Sequence, residues 1–196
     1  AFGLYAGYIR GIMGYTAPYG MLPSGIYHRN EYLDTPAFQA LHLFPPTDAQ
    51  QQYGNQLAQG VHLGGDYFLK RFPVWFNIYN GNQAVILSMA KGVALLGRYL
   101  GDAELMQIAQ DQLYWTVGRN PFGQSLIYGE GSHYTQFDSF SSGEITGAMP
   151  VGIRTYGNLD EPWWPTINNA CYKEVWTPNA GKWLSVIAEI SADDSK

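Results

Sequence analysis

The sequence predicts an all-α fold, part of an α/α toroid in which helical hairpins form the wall and long aromatic loops carry the site. Apolar residues recur at helical spacing through two consecutive segments, 86–100 and 105–117, and only Gly101-Asp102 separates them. Helices joined by so short a connection pack antiparallel. The segments between the predicted helices, 14–47 and 119–172, are rich in proline, glycine and aromatic residues. No linker divides the chain, so residues 1–196 are expected to form one unit.

The remaining elements follow from the same periodicity. The first dozen residues are apolar and predict the end of a helix, and the prolines in 14–47 exclude long helices there. Residues 48–72 are predicted as a helix, although Gly60, Gly64 and Gly65 fall within it. Residues 119–172 are predicted as loop with short strands. A last helix is predicted over 179–190, with an apolar face that turns inward; its members are Trp183, Val186, Ile187 and Ile190.

The composition is aromatic and poor in charge. Aromatic residues make up 15% of the chain, and charged residues make up 14%, well below the roughly 25% that is usual. Such chains often form carbohydrate sites, because sugar rings present apolar C–H faces that pack on aromatic rings. A large aromatic core explains the composition equally well.

Several classes of function are excluded. The net charge is −5 and the eleven basic residues do not cluster, so a nucleic-acid partner is not predicted. The single cysteine, Cys171, excludes an internal disulfide and a cysteine-based zinc site. The histidines at 28, 42 and 62 share no ligand spacing, so neither metal nor cofactor is predicted. No apolar run is long enough to cross a membrane.

Residues 120–131 are the most informative stretch, reading Asn-Pro-Phe-Gly-Gln-Ser-Leu-Ile-Tyr-Gly-Glu-Gly. Pro121 ends the preceding helix, because it lacks an amide hydrogen and biases Asn120 away from helical angles. The closely spaced glycines then favour a shaped loop over a packed strand. The stretch does not indicate a nucleotide site, because no strand leads into it and no basic residue follows.

This stretch and three further motifs resemble the C-terminal part of family 9 glycoside hydrolases. The stretch begins within Gly-Arg-Asn-Pro-Phe-Gly-Gln-Ser at 118–125, and the further motifs are Asn-Gly-Asn-Gln-Ala at 80–84, Gly-Ala-Met-Pro-Val-Gly-Ile at 147–153, and Glu-Val at 174–175 followed by Asn-Ala-Gly at 179–181. They occur in the family's order over about residues 76–190. The resemblance implies an (α/α)6 barrel, a secreted or periplasmic enzyme that hydrolyses β-linked poly- or oligosaccharides, and Glu174 as the catalytic acid.

Inverting hydrolysis gives a reason for a carboxyl group at this position. One protonated carboxyl protonates the leaving oxygen, and a second carboxylate activates water. Tyr172 and Trp176 flank Glu174 and could supply an apolar environment that keeps the acid protonated.

The sequence departs from the family in three ways. No motif with two closely spaced aspartates precedes the predicted helical hairpin, so the catalytic base is expected from a missing N-terminal part. The chain also begins without methionine, and we expect a fragment or a processed product. Asp138-Ser-Phe-Ser-Ser stands where many members have His-His-Arg, and the spacing from Glu174-Val to Asn179-Ala is shorter than usual.

The expected sugar-binding residues lie in the loops. They are Tyr128, His133, Tyr134, Trp163, Trp164 and Tyr172. The two adjacent tryptophans either pack inward or form a sugar platform. Two alternatives to the hydrolase stay open: a non-catalytic glycan-binding module that uses these tryptophans, and a polysaccharide lyase in which Arg154 near Tyr156 binds a carboxylate.

Overall fold

The chain combines helices with two small antiparallel sheets, so the prediction of an all-α fold is wrong. The computed structural model describes residues 1–31, 48–74, 81–138 and 145–192, and these ranges contain six helices and five short strands. The helices are α1 (Phe2–Met13), α2 (Ala49–Ala58), α3 (Gln83–Leu100), α4 (Ala103–Thr116), α5 (Ala170–Lys173) and α6 (Thr177–Ser191). The strands are β1 (Gly25–His28), β2 (Val61–Gly64), β3 (Tyr67–Lys70), β4 (Arg154–Thr155) and β5 (Pro162–Trp163).

The predicted hairpin of α3 and α4 is confirmed and forms the centre of the molecule. Gly101 ends α3 in the left-handed region, at φ 63°, where only glycine is free of strain. The Asp102 carboxylate then accepts a hydrogen bond from the Leu105 amide and caps α4. The last helix, α6, packs against both, and α1 covers α3. The apolar faces of α1, α3, α4 and α6 meet in one core.

The predicted helix over 48–72 is wrong beyond residue 58. Helix α2 stops at Ala58, and β2 and β3 follow as a hairpin because Gly64 and Gly65 take φ values of 121° and 53° at its turn. Strand β3 pairs on its other side with β1, so the sheet order is β1-β3-β2. Residues 14–31 therefore contain one strand within the predicted loop. Residues 32–47 lie outside the described ranges.

The short strands predicted within 119–172 are found as β4 and β5, which pair antiparallel. The loop between them carries Asp160, whose buried carboxylate accepts hydrogen bonds from the backbone amides of Arg71 and Phe72. The same carboxylate pairs with Lys70 at 3.4 Å and with Arg71 at 2.9 Å. Asp160 thus fastens this loop to the end of the three-stranded sheet.

The start of α3 touches the loop that leads into β4. A Cβ atom on Gly81 would lie 2.5 Å from backbone atoms of Gly152, so the two backbones meet with no space for a side chain. Gly152 also has a φ of 120°. The amides of Asn82 and Gln83 donate to the carbonyls of Ile153 and Val151, at 2.9 and 3.2 Å. The hairpin is therefore joined directly to the segment that holds the candidate site.

None of the helices in the described ranges combines the length and apolarity needed to cross a lipid bilayer.

Candidate functional site

Glu174 lies where three segments of the chain come together. It follows α5 immediately, and its carbonyl accepts a hydrogen bond from the Val151 amide at 2.9 Å. On the other side the backbone forms a parallel bridge with Asp138, whose carbonyl accepts from the Val175 amide at 3.2 Å. The position of Glu174 is therefore fixed by main-chain bonds from two directions.

The Glu174 carboxylate is half-buried, and one of its two oxygens accepts a hydrogen bond. The indole Nε1–H of Trp176 donates to its Oε2 at 2.7 Å. An indole nitrogen can only donate, so Oε2 acts as the acceptor in this bond. Oε1 accepts no hydrogen bond from the described residues. The hydrogen bond from Trp176 orients the carboxyl group and leaves Oε1 without a hydrogen-bond partner among the described residues.

The bridge places a second carboxyl-bearing residue, Asp138, beside Glu174. The sequence did not predict this pairing, because the two residues are far apart in the chain. Asp138 stood out only because it begins the segment that replaces the His-His-Arg motif of family 9. Residues 139–144, which follow it, lie outside the described ranges.

Five aromatic side chains form a continuous row that reaches from the core to the surface. Ring centroids lie 5.1 Å apart for Tyr134 and Tyr128, 6.2 Å for Tyr128 and Phe137, 6.4 Å for Phe137 and Trp164, and 5.8 Å for Trp164 and Tyr172. We call these five residues the aromatic row. Trp164 and Tyr172 are buried at its inner end, whereas Tyr134 is 40% exposed at its outer end. The row brings together four of the six predicted sugar-binding residues.

His133 joins the aromatic row through hydrogen bonds. Its Nδ1 lies 2.9 Å from the Gly123 carbonyl, which can only accept, so Nδ1 carries the hydrogen. In the neutral ring Nε2 then accepts from the Gln124 amide nitrogen at 3.1 Å. Gln124 uses its Oε1 to accept from the Trp164 indole at 3.0 Å. His133 is thereby held at the surface by the same loop that anchors the buried tryptophan.

The two adjacent tryptophans do not form a shared platform. Trp164 is 5% exposed and packs in the core with Phe137 and Tyr172. Trp163 lies in strand β5 on the other side and packs on Tyr156, with centroids 4.5 Å apart. Successive side chains of an extended strand point to opposite faces, which explains the difference. Trp163 is therefore separate from the aromatic row.

Lys173 is a buried cation that the sequence did not indicate. Its ammonium lies 3.3 Å from the Thr135 hydroxyl, 3.2 Å from the Thr166 carbonyl and 5.1 Å from the centre of the Trp164 ring. Burial lowers the pKa of Lys173 to about 8. The Lys173 side chain thereby connects Thr135 with Thr166 from the position that precedes Glu174 in the chain.

Arg154, which the lyase hypothesis paired with Tyr156, lies instead over the ring of Tyr172 at 5.7 Å. Burial lowers the pKa of its guanidinium, and its buried Nε has no hydrogen-bond partner among the described residues.

Within the ranges that the structure describes, histidine, cysteine, aspartate and glutamate side chains form no group of three or more that could hold a metal ion. Comparison of the chain with models of protein families, with curated proteins and with solved structures gives no match.

Proposed function

We propose that this chain is part of a secreted glycoside hydrolase of the family 9 type, which hydrolyses a β-linked poly- or oligosaccharide with Glu174 as the proton donor. The observation that carries the proposal is the Glu174 carboxyl group. One oxygen is bound by the Trp176 indole, the other is uncommitted, and main-chain bonds hold the residue in place.

In the proposed reaction the Glu174 Oε1–H gives its proton to the glycosidic oxygen as the bond from that oxygen to the anomeric carbon breaks. The departing sugar leaves as an alcohol, and Glu174 becomes a carboxylate. A second carboxylate, supplied by a preceding segment, removes a proton from the water that attacks the opposite face of the ring. The Trp176 hydrogen bond holds the acid in one orientation before and after the transfer.

The outer end of the aromatic row supplies a surface for sugar rings. Tyr134 and half-buried Tyr128 present aromatic rings at this end, and His133, whose two ring nitrogens are both hydrogen-bonded within the 123–133 loop, fixes the loop beside them. Trp164 and Tyr172 support these residues from the core.

The test is Glu174→Gln in the polypeptide that carries this chain together with its base. Glutamine keeps the size of the side chain and can still accept from Trp176, but it cannot deliver a proton. We expect kcat on a natural glycan to fall by about 10²–10⁴ with little change in KM. The loss should be smaller for aryl glycosides, because their leaving groups depart with less protonation.

Glu161→Gln serves as the matched control, because Glu161 is an exposed carboxylate in the loop between β4 and β5. It should leave kcat unchanged. A Glu174→Gln variant with normal kcat would refute the assignment. A product that contains a new carbon–carbon double bond, detected by its ultraviolet absorption, would favour the lyase alternative.

The half-exposed pair of Trp163 and Tyr156 favours one alternative function, a glycan-binding module. In that case Trp163→Ala would abolish glycan binding, whereas Tyr134→Ala would leave the affinity unchanged.

A further inference from the structure

The side chain of Asp138 lies on the same face of the chain as that of Glu174. The two residues form a parallel bridge, in which the Asp138 amide donates to the Lys173 carbonyl at 2.9 Å and the Val175 amide donates to the Asp138 carbonyl at 3.2 Å. Residues paired across extended segments point to the same side, and successive residues point to opposite sides. Phe137 and Val175 both pack into the core cluster that holds the buried end of the aromatic row. Asp138 and Glu174 therefore face away from that core, next to each other.

This pair brings two carboxyl groups to one partly exposed part of the surface. Paired extended segments lie about 4.8 Å apart, so side chains at a bridge can contact the same small ligand. Both residues are half-buried, and neither is closed off from solvent. One oxygen of Glu174 is bound by the Trp176 indole. The Asp138 carboxylate, by contrast, makes no hydrogen bond or ion pair with the residues in the described ranges.

Two basic side chains on the neighbouring segments lie against the core and leave Asp138 unpaired. The Lys173 ammonium lies 5.1 Å from the centre of the Trp164 ring, and the Arg154 guanidinium lies 5.7 Å from the centre of the Tyr172 ring. Both rings belong to the buried end of the aromatic row. The negative charge of Asp138 is therefore not balanced by any side chain that the structure describes. Such a site favours a ligand that carries a positive charge and disfavours an anion.

We infer that Asp138 determines the specificity of the Glu174 site and selects a β-linked amino sugar there, an inference that rests on the proposed function. The ammonium group of the sugar donates a charge-assisted hydrogen bond to the Asp138 carboxylate, which is stronger than the bond from a neutral hydroxyl. Glucose offers only hydroxyls, an N-acetylated sugar offers a neutral amide, and a uronic acid brings a carboxylate that Asp138 repels. Asp138 binds the sugar and takes no part in the proton transfer, which belongs to Glu174.

The experiment measures binding of three β-linked tetrasaccharides, of glucosamine, of N-acetylglucosamine and of glucose. Calorimetry uses the Glu174→Gln variant of the polypeptide that carries this chain together with its base, so that affinity is measured without proton transfer. We expect the glucosamine tetrasaccharide to bind about tenfold more tightly than the other two. Asp138→Asn in the same background keeps the shape of the side chain but removes its charge, and it should abolish this preference. Because the Asp138 side chain has no bond to the described residues, the variant should fold, and circular dichroism checks this.

Glu161→Gln is the matched control, because it removes the same charge from an exposed position in the loop between β4 and β5. It should leave the preference for the glucosamine tetrasaccharide unchanged. Equal affinity for the three tetrasaccharides, a preference that survives Asp138→Asn, or an equal loss of preference in Glu161→Gln would each overturn the inference.

Kinetics separate this inference from the proposed hydrolase. With Glu174 intact, Asp138→Asn should lower kcat/KM for the glucosamine tetrasaccharide about tenfold and leave that for the glucose tetrasaccharide nearly unchanged. Glu174→Gln should lower kcat on both. If the binding preference depends on Asp138 while Glu174→Gln keeps a normal kcat, the catalytic assignment fails and the role of Asp138 in binding stands. If Glu174→Gln loses kcat and no preference for the amino sugar is found, the reverse holds.

Discussion

At the scale of single residues, the buried ammonium group of Lys173 makes the stability of the folded protein depend on pH. Its ammonium has hydrogen-bond acceptors, but no carboxylate of the described residues pairs with it. The folded protein releases this proton at a pKa of about 8, whereas the ordinary value is 10.5. Between these values the unfolded chain holds more protons, so the contribution of Lys173 to stability improves as pH rises. Below pH 8 the full penalty of the buried charge is present.

We therefore expect Lys173→Met to stabilise the protein relative to the unaltered chain at pH 7, by about 1 kcal/mol. The advantage should shrink as the pH is raised to 10, because the lysine is then neutral in the folded state. Denaturant unfolding of both proteins at pH 7 and pH 10 measures this difference. A gap between the two proteins that widens toward pH 10 would contradict the assignment of a buried, destabilised ammonium.

The two adjacent tryptophans should respond differently to the same substitution. Trp164→Ala removes a buried ring and a hydrogen bond to Gln124, so it should lower the free energy of unfolding by about 3–5 kcal/mol. Trp163→Ala removes a half-exposed ring and should cost well under half as much. Thermal unfolding of the two variants provides the comparison, and equal losses would show that Trp163 is also a core residue.

At the scale of elements, the packing of α3 on α4 depends on Gly97. A Cβ at this position would lie 3.0 Å from the Met106 backbone nitrogen and from its side chain, which is closer than most real Cβ contacts. Gly97→Ala should destabilise the protein by about 1–3 kcal/mol, because the helices must separate to admit the methyl group.

Gly92 in the same helix is the matched control. A Cβ there would meet only the Tyr5 hydroxyl, at 3.7 Å. Gly92→Ala should therefore stabilise α3 by about 0.5–1 kcal/mol, since alanine loses less backbone entropy than glycine. Chemical denaturation of both variants would detect the opposite signs, and a stabilised Gly97→Ala variant would show that the contact yields at little cost.

The elements that the sequence predicted correctly are those with strong periodicity. Helices α3, α4 and α6 are each longer than three turns and their apolar residues recur at helical spacing, so the sequence alone predicted them as helices. The three-stranded sheet was missed because its strands have only four residues each and because β1 pairs with β3 across a stretch of chain that contains α2 and β2. Gly60, Gly64 and Gly65 were visible as breaks in the predicted helix, but glycine alone does not distinguish a loop from a hairpin turn.

At the scale of the whole molecule, four of the aromatic residues predicted from the sequence as sugar-binding lie together in the fold, and their role stays a prediction. Tyr128, Tyr134, Trp164 and Tyr172 belong to one row of aromatic rings, yet only the fold determines which of them are buried. Lys173 was overlooked because its environment depends on Thr135 and Thr166, which are distant in sequence or lie in another segment. The proximity of Asp138 to Glu174 was overlooked because a backbone bridge brings the two residues together. Such contacts join residues distant in the chain and leave no local pattern.

The contact between Gly81 and Gly152 bears on how the molecule opens. The two backbones touch, and the amides of Asn82 and Gln83 donate to the carbonyls of Ile153 and Val151. The first turn of α3 therefore cannot separate by a small displacement from the 151–153 segment, which is hydrogen-bonded to Glu174. The helical hairpin and these segments should therefore behave as one cooperative unit in native-state hydrogen exchange. The amide of Gln83 should exchange with the same opening free energy as that of Val151, which donates to Glu174. If the amide of Val151 exchanged much faster than that of Gln83, the site would have an opening motion of its own.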